Sequence, residues 1–241
     1  IFYVTDNGQR DHFDMVFAGA VALGYAKPEQ LTHVPFGLVQ NEQKKRFKTR
    51  SGDVIRLQDL LDEGYQRAYA IGQERGVPDC ENFAKVVGYG AIKYADLSLY
   101  RLMDYVFNWD SMLAFQGNTV VYLLYTVVRC RSIIRKAAVQ NIEPVVAIET
   151  LAYDYHVSEK ELILHLAQYD HMIAKVLDQS APHYACDYLY DLSAKFNHFF
   201  RDCPILKSEV HAAVRLSMVQ CVDRTMTHVL KLLGIETVDE M

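Results

Sequence analysis

The sequence has no excess of positive charge: 25 Lys and Arg stand against 30 Asp and Glu, a net of −5. Any contact with nucleic acid must therefore come from local patches, not from the field of the whole chain. There is no cysteine framework either. The five cysteines, at 80, 130, 186, 203 and 221, are odd in number, form no Cys-x-x-Cys pair and have no zinc-finger spacing with histidine. They read as reduced thiols packed as small apolar groups, as in a reducing compartment. No apolar run approaches the roughly 18 residues of a membrane span. The longest candidate, 120–128, is interrupted by tyrosines and ends at Arg129. Nothing repeats, and no segment is of low complexity. With 51% hydrophobic and 23% charged residues, disorder is excluded, and 241 residues suffice for one large or two modest cores.

What is present changes character along the chain. Ile1 to Thr5 is β-branched and aromatic, a buried strand by composition. Asp6-Asn7-Gly8 turns, and Phe13, Val16, Phe17, Ala20 and Leu23 recur at helical spacing. A strand, a turn and a helix are the unit of an α/β sheet, where ligands bind beyond the strands' carboxyl ends. Asp6, Asn7, Gln9 and His12 stand at that end. The run from His33 to Val39 predicts a second strand. Because the chain opens on a strand without an initiator Met, the expectation is a fragment of a longer protein.

From Leu57 onward the pattern is helical. Leu57, Leu60, Leu61, Tyr65, Ala68 and Tyr69 form a stripe that stops at Gly76-Val77-Pro78. A helix over about 81–101 follows, then an aromatic, turn-rich stretch over 104–118. Asn118 or Thr119 can cap a helix running to about Val139. Ser158-Glu159-Lys160-Glu161 has the form of a capping box, opening one helix that bears Leu162, Leu166, Tyr169, Ile173, Val176 and Leu177. Two more stripes run over 185–199 and 210–233. The predicted architecture is mostly α: a small α/β part followed by an all-helical bundle.

Two charged features bear on function. Between Gln40 and Gly52 the chain carries Lys44, Lys45, Arg46, Lys48 and Arg50 against one acid, Glu42. Cations on a hinged loop suit closure over a polyphosphate, where positive charge must meet charge that moves in the transition state. Charge alone also allows a solvated basic loop. The second feature is Arg129, Arg131, Arg135 and Lys136, with no acid between Thr119 and Gln140 and with Tyr122 and Tyr125 one or two turns before. Arginine on phosphate and tyrosine under a base is the pairing used on single-stranded RNA. A wet basic side of an amphipathic helix accounts for the same pattern. Gln9 and His12, one helical turn apart, suit a turn or cap as well as a ligand. The later histidines show no metal spacing, and His165 and His171 read as surface or satisfied core groups.

The residues on either side of the basic loop decide between these alternatives. Tyr3-Val4-Thr5-Asp6-Asn7-Gly8-Gln9 with His12-Phe13 resembles the arginyl-tRNA synthetase family just before its signature loop. Phe36-Gly37-Leu38-Val39, then Phe47-Lys48-Thr49-Arg50-Ser51-Gly52, resembles that family's variant of the class I "KMSKS" loop. Val54 to Glu63, Lys93 to Ser98 with Arg101, and Asp104 to Phe107 are similarly close. So are Gly117-Asn118-Thr119 with Tyr122, Tyr125, Arg129 and Arg131-Ser132-Ile133, and the ending from Leu232 to Met241.

The resemblance implies a class I catalytic, Rossmann-like portion over 1–62, a connecting helical region over 63–116 and a helical anticodon-binding domain over 117–241. It implies an arginine–tRNA ligase, with ATP as substrate, Mg2+ expected and arginine and its tRNA as partners. Neither DNA nor membrane is implied, and a cytoplasmic location is expected by default, over an organellar one. By position, Gln9 matches the arginine pocket, and His12, Phe36, Gly37, Leu38, Thr49 and Ser51 the ATP side. Lys48, Arg50 and Lys45 match the catalytic cations. Tyr125, Arg129, Arg131, Ser132 and Met241 match tRNA-contacting positions, and no position implies a resident metal. Phe47-Lys48-Thr49-Arg50 departs from Lys-Met-Ser-Lys, and the half that carries the "HIGH" motif is not in the sequence. The alternative is a non-catalytic tRNA-binding helical module.

Overall fold

A computed structural model describes residues 1–40, 56–145, 154–207 and 211–241. The loop cations Lys45, Lys48 and Arg50, with Thr49 and Ser51, lie outside the described residues, as does Val210.

Strand β1 (Phe2–Asp6) pairs in parallel with β2 (Thr32–Phe36), Val4 opposite Val34 and Asp6 opposite Phe36. Helix α1 (Arg10–Ala22) crosses between them, so the expected strand–helix–strand unit forms. The aromatic side chains drive it: Phe13 and Phe17 lie 5.2 and 5.3 Å from the Tyr3 ring, and Phe13 stacks on His33 at 4.9 Å. The second strand is not the single run expected over 33–39. It breaks after Phe36 and resumes as β3 (Val39–Gln40), which pairs with β4 (Tyr105–Val106) in a separate two-stranded sheet. Gly37, at the break, explains the change of partner. A Cβ there would lie 2.4 Å from the Met103 carbonyl oxygen, so only glycine lets the two backbones meet.

Helices α2 (Leu57–Arg75) and α3 (Cys80–Leu97) form the connecting region. Helix α3 ends at Leu97, four residues before the end expected near 101, and residues 98–103 turn to brace the strand break. The two helices touch at glycine: a Cβ on Gly88 would come within 2.6 Å of the Gly64 carbonyl oxygen. Gly88→Ala should gain about 1 kcal/mol of helix propensity. The clash, of roughly 1–3 kcal/mol, should outweigh that gain. A lower urea midpoint is expected, and an unchanged or higher one would refute the contact.

A short helix α4 (Trp109–Met112) leads to α5 (Val120–Val139), whose N-cap is Thr119; its hydroxyl accepts from the Tyr122 amide at 3.2 Å. Helices α6 (Val157–Leu166), α7 (Tyr169–Gln179), α8 (His183–Asp202) and α9 (Ala212–Leu232) complete the bundle. The single helix expected from 158 is thus two. The stripe runs through the break unchanged because both halves dock on Tyr188 of α8: His165 stacks on its ring at 4.6 Å, and Tyr169 meets it edge-on at 6.5 Å. The Tyr188 hydroxyl then donates to the Leu166 carbonyl that the helix end releases. The capping box also sits two residues earlier than expected. His156 is the cap, and Glu159, not Glu161, accepts from its amide at 2.7 Å.

The core lies among α3, α5, α8 and α9, where Leu123, Leu124, Leu189, Phe196, Met226 and Leu230 are fully buried. Tyr94 pins it to the connecting region. Its hydroxyl donates to Asn118 Oδ1 at 2.5 Å, with the Cys186 carbonyl 3.2 Å away, and burial raises its pKa well above the usual tyrosine value. Among the described residues no helix is long and apolar enough to cross a membrane.

Candidate functional site

At the carboxyl end of β1, Asp6 organises the first candidate group. One carboxylate oxygen accepts from the Gly8 amide at 2.9 Å, and the other accepts from Gln9 Nε2 at 3.1 Å. Gln9 is therefore aimed by a carboxylate, although it stays exposed. His12, on the first turn of α1, is exposed, its ring perpendicular to that of Phe13 with the two ring centres 5.5 Å apart. The strand register sets Phe36 beside Asp6. The structure thus brings Gln9, His12 and the Phe36–Leu38 segment to one end of the β1–β2 pair.

That segment is strapped from the other side. The Gly37 amide donates to the Arg101 carbonyl at 2.6 Å, and Arg101 Nη1 donates to the Pro35 carbonyl at 2.8 Å. Asp104 takes the Leu38 amide at 2.7 Å on one oxygen and Gln40 Nε2 at 2.9 Å on the other. These bonds fix the backbone at the root of the cationic loop. A cavity of about 330 Å3 lies beside it, walled by Phe36, Gly37 and Leu38 on one side and Tyr100, Met103 and Pro182 on the other.

The second candidate group is on α5. Tyr125, Arg129 and Ser132 follow at helical spacing on one face, and exposed Lys136 continues it. Tyr125 is 41% exposed. The Arg129 guanidinium carbon lies 4.7 Å from the Tyr125 ring centre and 4.8 Å from that of Phe200, within cation–π range of both. Its Nη1 donates to Asn197 Oδ1 at 2.6 Å, and Asn197 Nδ2 donates to the Tyr122 hydroxyl at 2.9 Å.

Arg131 faces elsewhere. Its Nε donates to Asp223 at 3.3 Å, and Nη1 to Asp239 Oδ1 at 2.7 Å and the Val238 carbonyl at 3.0 Å. Nη2 reaches Thr227 at 3.3 Å and Thr237 at 2.8 Å. Every donor edge of this guanidinium is thus spent on α9 and the C-terminal segment. Burial raises the Asp223 carboxyl above the usual range, against the lowering effect of Arg131. Met241, at the end of that segment, is half-buried against the core.

Two family models divide the chain between them. Residues 1–109 match the class I (R) tRNA synthetase catalytic domain, and residues 123–241 match the DALR anticodon-binding domain. The arginine–tRNA ligases of a Cyanothece and a Picosynechococcus species are 44% and 42% identical over all of this chain. The fold superposes on Thermus thermophilus arginyl-tRNA synthetase with a TM-score of 0.86 at 27% identity, again over the whole chain.

The chain belongs to the arginyl-tRNA synthetase family. It spans 43% of the length of those two ligases and 41% of the Thermus protein. The Plasmodium falciparum arginyl-tRNA synthetase matches similarly, with a TM-score of 0.80 at 27% identity and 41% of that chain covered. The two family domains meet between residues 109 and 123, where α4 and the turn before α5 lie.

Three side chains that position these groups had no role assigned from sequence. Asp104 had none because its partners at Leu38 and Gln40 are more than sixty positions away. Asn197 and Phe200 sit on a helix whose stripe reads simply as core. The opposed directions of Arg129 and Arg131, in contrast, were available from spacing. Residues two apart on a helix do not share a face.

Proposed function

We propose that this chain carries the ATP-side loop and the anticodon-binding domain of an arginine–tRNA ligase. The enzyme joins the arginine carboxylate to the α-phosphate of ATP, releasing pyrophosphate, and then esterifies the terminal adenosine of tRNA with the arginyl group. The proposed division is 1–62 for the catalytic portion, 63–116 for the connector and 117–241 for the tRNA-binding bundle. Lys48 and Arg50, supported by Lys45, neutralise the phosphates, and Thr49 and Ser51 border them. His12 and the strapped backbone of Phe36, Gly37 and Leu38 serve the adenosine side, and Gln9, aimed by Asp6, serves arginine. Mg2+ would accompany the ATP phosphates. Among the described residues no group of three or more His, Cys, Asp or Glu could hold the ion, so no step is assigned to it. The site of action is the cytoplasm.

The support is the end-to-end match: both family domains, in order, with curated relatives that share the whole chain. On the RNA side Tyr125, Arg129 and Ser132 form the contact face, while Arg131 acts through the C-terminal segment that ends in Met241. Titration with an arginine-acceptor tRNA should show tighter binding than with other tRNAs. Arg129→Ala should weaken it by on the order of ten-fold and reduce the salt slope by about 0.7–0.9. Equal affinity for all tRNAs, or an Arg129 variant indistinguishable from the parent, would sink the assignment.

A further inference from the structure

The turn after α3 joins the two family domains at the point where the second strand breaks. Tyr100 and Arg101 lie in the span that matches the catalytic domain, and His183, at the start of α8, in the anticodon-binding span. The turn closes on itself, the Met103 amide donating to the Tyr100 carbonyl at 2.8 Å. Arg101 then bridges the break: its carbonyl accepts from the Gly37 amide, and its Nη1 donates to the Pro35 carbonyl. The Tyr100 ring stands nearly perpendicular to that of His183, with 5.5 Å between centres. His183 is itself anchored. Its ring lies 4.0 Å from that of Tyr184, which carries Lys175 Nζ at 3.8 Å and donates its hydroxyl to Gln179 at 2.8 Å. Burial holds the His183 pKa below the usual histidine value, against the raising effect of Asp187, so the ring is uncharged at neutral pH beside Arg101 and Lys175. Towards Gly37 the turn borders the cavity of about 330 Å3, so these bonds and this ring contact set its place. Two buried side-chain nitrogens among the described residues lack a hydrogen-bond partner, Arg101 Nε and His183 Nδ1. Native structures seldom leave such groups unpaired. Both fall at one junction, as local rules are broken where a position is held for function.

We infer that Arg101 and Tyr100 are positioning residues for the ATP side of the site. Arg101 sets the spacing of Pro35 and Gly37, and Tyr100, seated on His183, ties that bridge to the α7–α8 corner of the bundle. A strand that breaks at a glycine has no side chain there to hold it. Its amides open unless their partners are themselves held. Here the partners of the Gly37 and Leu38 amides come from Arg101 and Asp104, and Tyr100 fixes the turn that brings them. The helical bundle thereby bears on the backbone at the root of the cationic loop without touching it. Small displacements of such a backbone matter, because a bound substrate reacts only from a narrow range of geometries. This inference rests on the assignment of Phe36, Gly37 and Leu38 to adenosine and deepens it by naming what keeps their backbone in place.

Amide hydrogen exchange on this chain reads the contact before any catalysis is involved. Tyr100→Leu keeps apolar bulk and should melt as the parent does. Its Gly37 and Leu38 amides should nevertheless exchange about ten-fold faster, the effect of one weakened hydrogen bond each. Amides of the core, such as those of Leu124 and Leu189, should keep the parent rates. Tyr100→Phe retains the ring and should match the parent. Arg101→Met, which removes the bond to Pro35, should act as Tyr100→Leu does. His183→Ala should do the same, and joined to Tyr100→Leu it should add nothing, because both remove one contact. In a complete arginine–tRNA ligase carrying this chain, ATP–pyrophosphate exchange supplies the second readout. Tyr100→Leu should raise the KM for ATP about five-fold, with kcat and the KM for arginine near the parent values. Loss of folded enzyme would instead lower kcat and leave both KM values alone. Parent-rate exchange at Gly37 and Leu38 in Tyr100→Leu or Arg101→Met, or additive effects of Tyr100→Leu and His183→Ala, would overturn the inference and leave the adenosine assignment standing. Faster exchange with an unchanged KM for ATP would overturn it through that assignment, since the backbone so held would not serve ATP.

Discussion

Arg215→Ala is expected to destabilise the helical bundle by about 3–5 kcal/mol, the effect of breaking a buried ion pair from one side. Glu159, at the start of α6, is fully buried, and the Arg215 side chain on α9 is 9% exposed. Arg215 Nε donates to Glu159 Oε1 at 2.7 Å, and its Nη1 donates to the Pro204 carbonyl at 3.0 Å. The other Glu159 oxygen accepts from the His156 amide, so one carboxylate both caps α6 and ties it to α9. Truncating the arginine leaves that carboxylate in the core without its counter-charge, and the Pro204 carbonyl without its donor. Urea denaturation followed by helical circular dichroism reads the cost directly. The double variant Glu159→Leu with Arg215→Met removes both charges and should lie nearer the parent than Arg215→Ala does. It should still fall short by about 1 kcal/mol for the lost cap. If the double variant were the least stable of the three, desolvation would not be what the pair manages.

The features of the fold that local chemistry controls were legible in the sequence. The strand at Tyr3, a cap at Asn118 or Thr119 and the stripes of α2, α8 and α9 follow from side-chain period and cap chemistry, and the structure has them. The exception is that the strand expected to be buried leaves Phe2 and Val4 exposed, because a single neighbour, β2, and one helix cover it. What escaped was set by partners far along the chain. The break between α6 and α7 contains no glycine or proline; it exists because Tyr188 holds His165 and Tyr169 on one ring. The break at Gly37 exists because residues 101–106 arrive to claim its backbone. The candidate site divides the same way. Tyr125 and Arg129 could be placed on one helix face by counting, but Asn197 and Phe200 reach them only through the packing of α8 on α5.

The same division governs Arg131→Ala, whose expected effect is on order as well as on affinity. Arg131 is 20% exposed at its side chain, and it bonds Thr237, Val238 and Asp239 on the C-terminal segment and Asp223 and Thr227 on α9. With partial solvent screening, the loss should cost roughly 2–3 kcal/mol, one or two charge-assisted hydrogen bonds, in the docking of that segment. Amides of residues 235–241 should then exchange hydrogen faster, while those of α5 and α8 keep their protection. Arginine tRNA should bind more weakly, because Met241 and its neighbours are no longer held. The decisive quantity is the salt dependence. Arg131 already faces Asp223 and Asp239 and releases few counterions on binding RNA, so its removal should leave the slope at the parent value. Arg129→Ala, which removes a cation with free donor edges, should lower the slope. A slope that falls as far in Arg131→Ala as in Arg129→Ala would make both arginines phosphate contacts and would end the case for a holding role.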